Sequence, residues 1–175
     1  MKLFITIAII FSLNFSVNAQ ENTDSLQNAF NPEYKKAFFM KNKTIIFNTS
    51  DSINPEFEVV NGNELVFKYE FRSKDYITIS DDEYVERFYF KILPKGNHFV
   101  YNLKNLKKSH LLYSQSCFCM DAGNYVIQKG SIIGTKINKT TWSVKIKFSY
   151  IARNTKNLVD KSYHLKYKIA GKDDN

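Results

Sequence analysis

The sequence predicts an all-β protein, arranged as an antiparallel two-sheet sandwich or, as the alternative, a partly closed β-barrel. From Lys43 onward, short apolar runs divided by turn residues recur roughly every eight to twelve positions, a spacing typical of antiparallel strands. Aromatic residues make up 15% of the chain, and most are Phe or Tyr, which fit a pleated, half-buried surface. Only residues 102–108 suggest a helical turn, so strands are expected to dominate.

Four segments alternate apolar and polar residues and are predicted to be the main strands. The clearest is residues 141–150, and residues 64–71, 83–92 and 163–169 repeat the pattern. A period of two places successive side chains on opposite faces of a strand, one set inward and the other in water. We therefore expect one common core that contains the large inward residues Trp142, Ile146, Phe148, Leu165, Tyr167, Phe88, Phe90 and Phe67.

Shorter apolar runs are predicted to complete the fold, at residues 44–47, 57–60, 76–79, 98–101, 111–116, 125–128 and 132–137. Two turn signals separate some of these runs. Asn61-Gly62-Asn63 indicates a hairpin, because Asn and Gly accept the positive φ that tight turns require. Pro94-Lys95-Gly96-Asn97 indicates a second one.

The first nineteen residues predict a cleavable export signal. Lys2 supplies the positive start, and residues 3–15 form an apolar run that is shorter than the roughly 20 residues needed to span a bilayer. Val17-Asn18-Ala19 provides the small side chains that a signal peptidase reads. No second apolar span follows, so we expect no transmembrane segment and an exported protein, either periplasmic or secreted.

Residues 20–42 are rich in Gln, Asn, Asp and Glu and predict a mobile polar N-terminal segment. Residues 43–175 then predict a single β-rich domain, because no linker or repeat of fixed period divides them. The net charge is +8, and loss of Lys2 with the signal would lower it by one. A basic surface favours partners such as anionic polysaccharide, lipopolysaccharide or another envelope polyanion.

One stretch of the chain has a recognisable arrangement of motifs. Cys117-Phe118-Cys119 precedes Gly123-Asn124-Tyr125, a Gly-spaced run at residues 130–137 and a strand led by Trp142. This arrangement, over about residues 64–150, resembles uncharacterised exported β-rich proteins of Gram-negative bacteria. The resemblance implies an exported β-rich fold and no established activity.

The sequence lacks the motifs of an enzyme, so we expect a protein that is not catalytic and carries no cofactor. His98, His110 and His164 lie on different predicted strands, without the neighbouring Ser or Asp of a hydrolase signature. No Gly-rich phosphate loop opens a helix. The acidic run Ser80-Asp81-Asp82-Glu83, with Glu86 beyond it, lacks the ligand spacing and central Gly of a calcium loop and indicates a polar turn. No metal site is predicted there.

Cys117 and Cys119 are the only cysteines in the chain. An exported protein favours a disulfide, but residues i and i+2 of a regular strand lie about 6.5 to 7 Å apart, beyond the reach of that bond. A mutual disulfide therefore requires the chain to bend at Phe118. The open alternatives are unpaired thiols or a soft-metal site, with Met120 and His110 close in sequence.

The leading functional hypothesis is a non-catalytic binding or structural module of the cell envelope. If the last two main strands pair as a hairpin, their outward face carries Lys145 and Lys147 beside His164, Lys166 and Lys168. At least one lysine then stands opposite or diagonal to another, and like charges in that position destabilise a sheet. A bound anion would relieve the repulsion, so this face is predicted to bind a polyanion.

Two further expectations accompany this hypothesis. Phe99, Tyr101 and Tyr113 are candidate stacking partners at the rim of the sheet. The alternative function is a thiol or soft-metal-binding protein centred on Cys117 and Cys119.

Overall fold

The computed structural model describes residues 30–48, 55–76 and 83–171 of the chain. The predicted export signal at residues 1–19, the following residues 20–29 and the run Ser80-Asp81-Asp82 lie outside the described residues. Within the described ranges the chain is nearly all strand and contains no α-helix, which confirms the all-β prediction. The helical turn expected at residues 102–108 corresponds to one short 3-10 helix, Leu106–Ser109.

Eleven strands are present in the described residues, and each main predicted strand is among them. Their bounds are β1 (Phe30–Asn31), β2 (Tyr34–Asn48), β3 (Glu56–Arg72), β4 (Asp75–Tyr76), β5 (Val85–Ile92), β6 (His98–Tyr101), β7 (Leu112–Ser116), β8 (Gly123–Val126), β9 (Lys129–Asn138), β10 (Thr141–Ile151) and β11 (Leu158–Ile169).

Nine strands form one sheet in the order β6-β9-β10-β11-β2-β3-β5-β7-β8, and β1 pairs with β4 in a separate ribbon. Neighbouring strands are antiparallel except β11 and β2, which are parallel through Lys168 with Phe38 and Ile169 with Phe39. The sheet is mixed and not closed. The predicted two-sheet sandwich is not confirmed, because the parallel pair joins the two groups of strands into a single sheet.

Aromatic side chains from strands that are far apart in the order of the sheet meet in one core. The ring centroid of Phe67 on β3 lies 5.1 Å from that of Tyr167 on β11, and Tyr113 on β7 lies 5.4 Å from Phe148 on β10. These pairs connect strands that are not neighbours in the sheet. The predicted core residues are all buried in this cluster except Leu165, which packs against it while partly exposed.

β2 begins at Tyr34, earlier than the predicted domain start at Lys43. Phe38 and Phe39 explain the difference, because they are only 7% and 1% exposed and pack on opposite faces of the sheet. Phe39 joins the main core and Phe38 joins a smaller cluster on the outside. Residues 34–42 are therefore part of the sheet, and the mobile segment predicted for residues 20–42 does not extend over them.

The hairpin of β2 and β3 is interrupted by a bulge. The register shifts where Lys43 faces both Asn61 and Glu64, and Asn42 has a φ of 55° at the same point. Asn61-Gly62-Asn63 therefore supplies the extra residues of a bulge within β3, not the predicted hairpin turn. The predicted turn with Gly96 does form, but it leads to β6, which pairs with β9 and not with β5.

Beyond the bulge, the outer part of this hairpin packs on the outer face of the sheet. Ile45 is 1% exposed and packs with Val66. The Phe57 ring lies 4.7 Å from that of Tyr89 on β5. We call this region, where the hairpin covers β3 and β5, the covered face.

Candidate functional site

The outer face of β10 and β11 carries the five residues predicted to bind an anion. These residues, which we call the basic face, are all exposed: Lys145, Lys147, His164, Lys166 and Lys168. Successive residues of a strand face opposite sides of the sheet. The alternate positions of β10 are buried in the core, so Lys145 and Lys147 point outward. The structure thus brings the five side chains onto one side of one strand pair.

The register between β10 and β11 determines how closely the positive charges approach. Lys145 pairs with His164, Lys166 pairs with Ser143, and no two lysines of the basic face are directly opposed. Lys145 and Lys166 are diagonal neighbours, at the roughly 7 to 8 Å separation of such pairs. The expected lysine–lysine proximity is therefore present in its weaker, diagonal form. Ser143 Oγ and His164 Nε2 lie 3.1 Å apart.

The four lysines of the basic face form no salt bridge with a carboxylate of the described residues. Their partners across the strand pair are the small polar residues Thr141, Ser143 and Ser162 and the imidazole of His164. Asp160 is the acidic residue of β11, and it accepts a hydrogen bond from Ser149. Asp160 is also a diagonal neighbour of Lys147, so the basic face is open and its lysines form no salt bridge, but one carboxylate lies at its edge.

The predicted stacking partners are not free at the surface. Tyr113 is fully buried in the main core, so its predicted role as an exposed stacking residue is wrong. Phe99 and Tyr101 are partly buried against the same core. The Phe99 ring occupies the space where a Cβ at Gly134 would lie, which explains why β9 has glycine there. Phe99 and Tyr101 point towards the core because they alternate along β6 with the exposed residues His98 and Val100.

Cys117 and Cys119 lie at disulfide distance, with their Cα atoms 5.2 Å apart. The regular strand β7 ends at Ser116, so the chain bends at Phe118 as the bond requires. Gln115 Nε2 lies 3.4 Å from each sulfur. A soft metal would need both sulfurs reduced, so the thiol or metal-binding alternative concerns the reduced protein.

The three histidines are on separate elements: His98 on β6, His110 just after the 3-10 helix and His164 on β11. Burial lowers the pKa of the His110 imidazole, whose Nδ1 has no hydrogen-bond partner. Over residues 30–48, 55–76 and 83–171, no group of three or more His, Cys, Asp or Glu residues is arranged to hold a metal ion.

Glu86, which follows the acidic run in the sequence, belongs to a buried cluster. Its carboxylate accepts hydrogen bonds from Tyr84 at 2.7 Å, Tyr113 at 2.9 Å and Tyr163 at 3.1 Å, and it forms an ion pair with Lys161. Burial alone would raise the pKa of Glu86, but the Lys161 ammonium and the tyrosine hydroxyls outweigh burial and lower it. The cluster joins β5, β7 and β11 inside the fold, which makes its role structural.

A cleft of about 650 Å³, here called the terminal cleft, lies where β8 approaches the ends of β10 and β11. Lys129, Arg153 and Lys156 line it, and none of its lining residues is Asp or Glu. Tyr125 and Tyr150 are also among the lining residues, and their ring centroids lie 4.5 Å apart. No local sequence pattern indicates this site, because its cations are dispersed along the chain and only the folded sheet brings them together.

Asp121 connects the two loops beside the terminal cleft. It accepts hydrogen bonds from the backbone N–H groups of Asn154 and Thr155 at 2.8 and 3.2 Å, and from Thr155 Oγ1 at 2.7 Å. These bonds, chiefly the one from Thr155 Oγ1, lower the pKa of the Asp121 carboxyl. The Tyr125 hydroxyl donates to the Asp121 carbonyl at 2.8 Å. The loop after the disulfide is thus attached to the loop that carries Arg153.

Comparison of the chain with protein-family models, curated proteins and solved structures finds no match. The helical content of the described residues includes no helix long and apolar enough to cross a membrane. The charge and geometry of the basic face and the terminal cleft are therefore the features that bear on function.

Proposed function

We propose that this protein is a non-catalytic exported binding module of the cell envelope, and that its basic face binds an anionic polymer such as an acidic polysaccharide or lipopolysaccharide. The observation that supports the proposal is the absence of carboxylate partners for the four lysines among the described residues. Exposed cations without partners attract anionic ligands and raise their local concentration.

The shape of the basic face favours a polymer over a single small ion. The lysines are arranged along two extended strands, where residues i and i+2 are separated by about 6.5 to 7 Å. Lys145 and Lys147 follow one strand, and Lys166 and Lys168 follow the other. A row of cations on an open surface suits a polymer with repeated negative charges. Each lysine that neutralises one of these charges releases counterions from the polymer.

The proposed location comes from the amino-terminal sequence. Lys2, the apolar run at residues 3–15 and Val17-Asn18-Ala19 together have the organisation of an export signal. Export would place the basic face among the anionic polymers of the envelope.

The decisive experiment changes the charge of the basic face while leaving the core intact. The variant Lys145→Gln/Lys147→Gln/Lys166→Gln/Lys168→Gln is compared with the wild type on immobilised heparin and on immobilised lipopolysaccharide over a salt gradient. The variant should elute at lower salt, and the slope of log K against log [salt] should fall by about one for each lysine that contacts the polymer.

A second variant controls for net charge. Lys95→Gln/Lys104→Gln/Lys107→Gln/Lys108→Gln removes the same charge from exposed positions outside β10 and β11. Equal retention of the two folded variants would show that net charge, and not the basic face, governs binding, and would refute the proposal.

A further inference from the structure

We propose that the terminal cleft binds a small amphipathic anion, a molecule whose apolar chain or ring ends in a carboxylate, phosphate or sulfate. This inference concerns residues other than the basic face and does not depend on the function proposed above. It follows from two features that the same cleft combines: a lining with three cations and no carboxylate, and exposed aliphatic side chains.

The cationic side of the cleft is prearranged around Arg153. The guanidinium lies 5.1 Å from the centroid of the Tyr125 ring, and Nη2 donates to the Asn124 carbonyl. Because Arg has five N–H donors in a fixed fork, this contact orients the group and leaves other donors for a ligand. An oriented guanidinium binds carboxylate or phosphate in a bidentate manner.

Lys129 and Lys156 add positive charge at the mouth of the cleft. Both side chains are exposed, and neither has a hydrogen bond or ion pair with any residue that the structure describes. Lys156 stands in a tight loop, where its own φ is 58° and its N–H donates to the Ala152 carbonyl at 3.0 Å. Asp121, the acidic group of the neighbouring loop, accepts its hydrogen bonds from Asn154 and Thr155, and Lys156 is near enough to contribute to its lowered pKa without forming a salt bridge with it.

The apolar side of the cleft is made by Val126, Ile151 and Leu158. They are 46%, 63% and 67% exposed, although large aliphatic side chains gain free energy when removed from water. Ile151 and Leu158 are directly opposed at the end of the β10–β11 pair, so they form one continuous surface. A cleft of this volume is within the range that encloses a small ligand.

These two sides determine the ligand class. A compact inorganic anion would leave the aliphatic wall in water, and a neutral apolar molecule would leave the cations without partners. An amphipathic anion satisfies both, because its charged end meets Arg153, Lys129 and Lys156 while its apolar part covers Ile151 and Leu158.

The test uses the full-length protein and decyl phosphate below its critical micelle concentration, and binding is followed by calorimetry and by amide chemical shifts. Binding should shift the amides of β8 and of the loop after β10. Inorganic phosphate and decanol should each bind at least tenfold more weakly than decyl phosphate. Equal affinity for phosphate would reduce the site to an anion site, and equal affinity for decanol would exclude a role for the cations. Either result would overturn the proposal.

Two pairs of variants test the two sides separately. Lys129→Gln/Lys156→Asn should weaken binding at least tenfold, and Asn is chosen because it tolerates the positive φ at this position. Ile151→Ser/Leu158→Ser should have a similar effect. The matched controls, Lys104→Gln/Lys108→Gln for charge and Leu103→Ser for an exposed aliphatic residue, should leave affinity unchanged. Equal affinity in a cleft variant and its control, or binding to anionic vesicles without binding of monomeric decyl phosphate, would refute the site.

Discussion

The covered face and the basic face are two outer regions of the same sheet, and they differ in whether their cationic side chains are paired with carboxylates. On the covered face, Lys91 contacts Glu64 at 3.0 Å and Arg87 contacts Glu70 at 3.0 Å. On the basic face, the lysines are exposed and have no such partners among the described residues. Cations beside a packed layer are paired because desolvation makes an unpaired charge costly, whereas cations in water bear no such cost.

Glu70 illustrates the pairing on the covered face. Burial alone would raise the pKa of its carboxyl, but hydrogen bonds from Tyr34 and Arg87 and the nearby Lys68 ammonium lower it to about 2. The Lys68 ammonium also lies 5.6 Å from the centroid of the Phe38 ring. The charges of this region therefore stabilise the fold, which leaves the basic face as the better candidate for binding.

The largest effect on stability should come from removing a buried side chain from the covered face. Ile45→Ala removes a side chain that is 1% exposed and packs with Val66 and Met40, so unfolding should become easier by about 2 to 5 kcal/mol. Ile133→Ala, at a 40% exposed position beside Lys145, should change stability by only about 0.5 kcal/mol. Urea unfolding measures both. A similar small loss in the two variants would mean that the hairpin does not pack on the sheet.

Removing one charge partner from the covered face should have the next largest effect. Glu70→Gln leaves Arg87 and Lys68 without their carboxylate and should cost about 1 to 3 kcal/mol at neutral pH. On the basic side of the sheet, Asp160→Asn keeps an oxygen that can accept the hydrogen bond from Ser149 and removes only an exposed charge, so stability should stay within about 0.5 kcal/mol. Equal losses would contradict the contrast between the faces.

The stability difference between the wild type and Glu70→Gln should depend on pH. The Glu70 carboxyl has a pKa of 4.5 when unperturbed and about 2 in the folded protein, so the unfolded chain binds its proton first as pH falls. Its stabilising contribution is therefore complete above about pH 4.5 and is lost progressively towards pH 2. The stability difference between wild type and Glu70→Gln should shrink across that window. A constant difference would mean that the carboxylate is not held by its cationic neighbours.

The disulfide should contribute a smaller amount, because it closes a very short loop. Replacing Cys117 and Cys119 by Ala should lower the free energy of unfolding by roughly 1 to 2 kcal/mol. Reduction should increase the intact mass of the wild type by about two hydrogens without loss of a dimer, as expected for an internal bond. An unchanged mass would contradict the bond and would favour the thiol or soft-metal alternative, which metal analysis of the purified protein would then test.

The smallest effect should come from the basic face itself. Changing Lys145, Lys147, Lys166 and Lys168 together to Gln should leave stability unchanged or raise it by roughly 0.5 kcal/mol, because only diagonal repulsion between exposed charges is relieved. The gain should disappear at high salt. Lys91→Gln, which removes a largely buried partner of Glu64, should instead destabilise the protein. A clear loss of stability in the quadruple variant would assign those lysines a structural role.

The sequence alone determined the strands and their inward faces. In β10, the alternation from Trp142 to Tyr150 predicts which residues enter the core, because the direction of a side chain on a strand depends only on its position in the period of two. The outward grouping of Lys145 with Lys166 follows from the same local rule. A bend at Phe118 was likewise a local requirement of the cysteine pair.

Only the tertiary structure decided the order of the strands in the sheet and which distant segments form the bulge, the outer cluster and the terminal cleft. The parallel pairing of β11 with β2, the bulge at Asn61–Asn63 and the burial of Phe38 all depend on partners far away in the chain. The terminal cleft joins Lys129 to Arg153 for the same reason. Local periodicity carries no information about which strands become neighbours, because pairing is selected by the packing of the whole core and the closure of long loops.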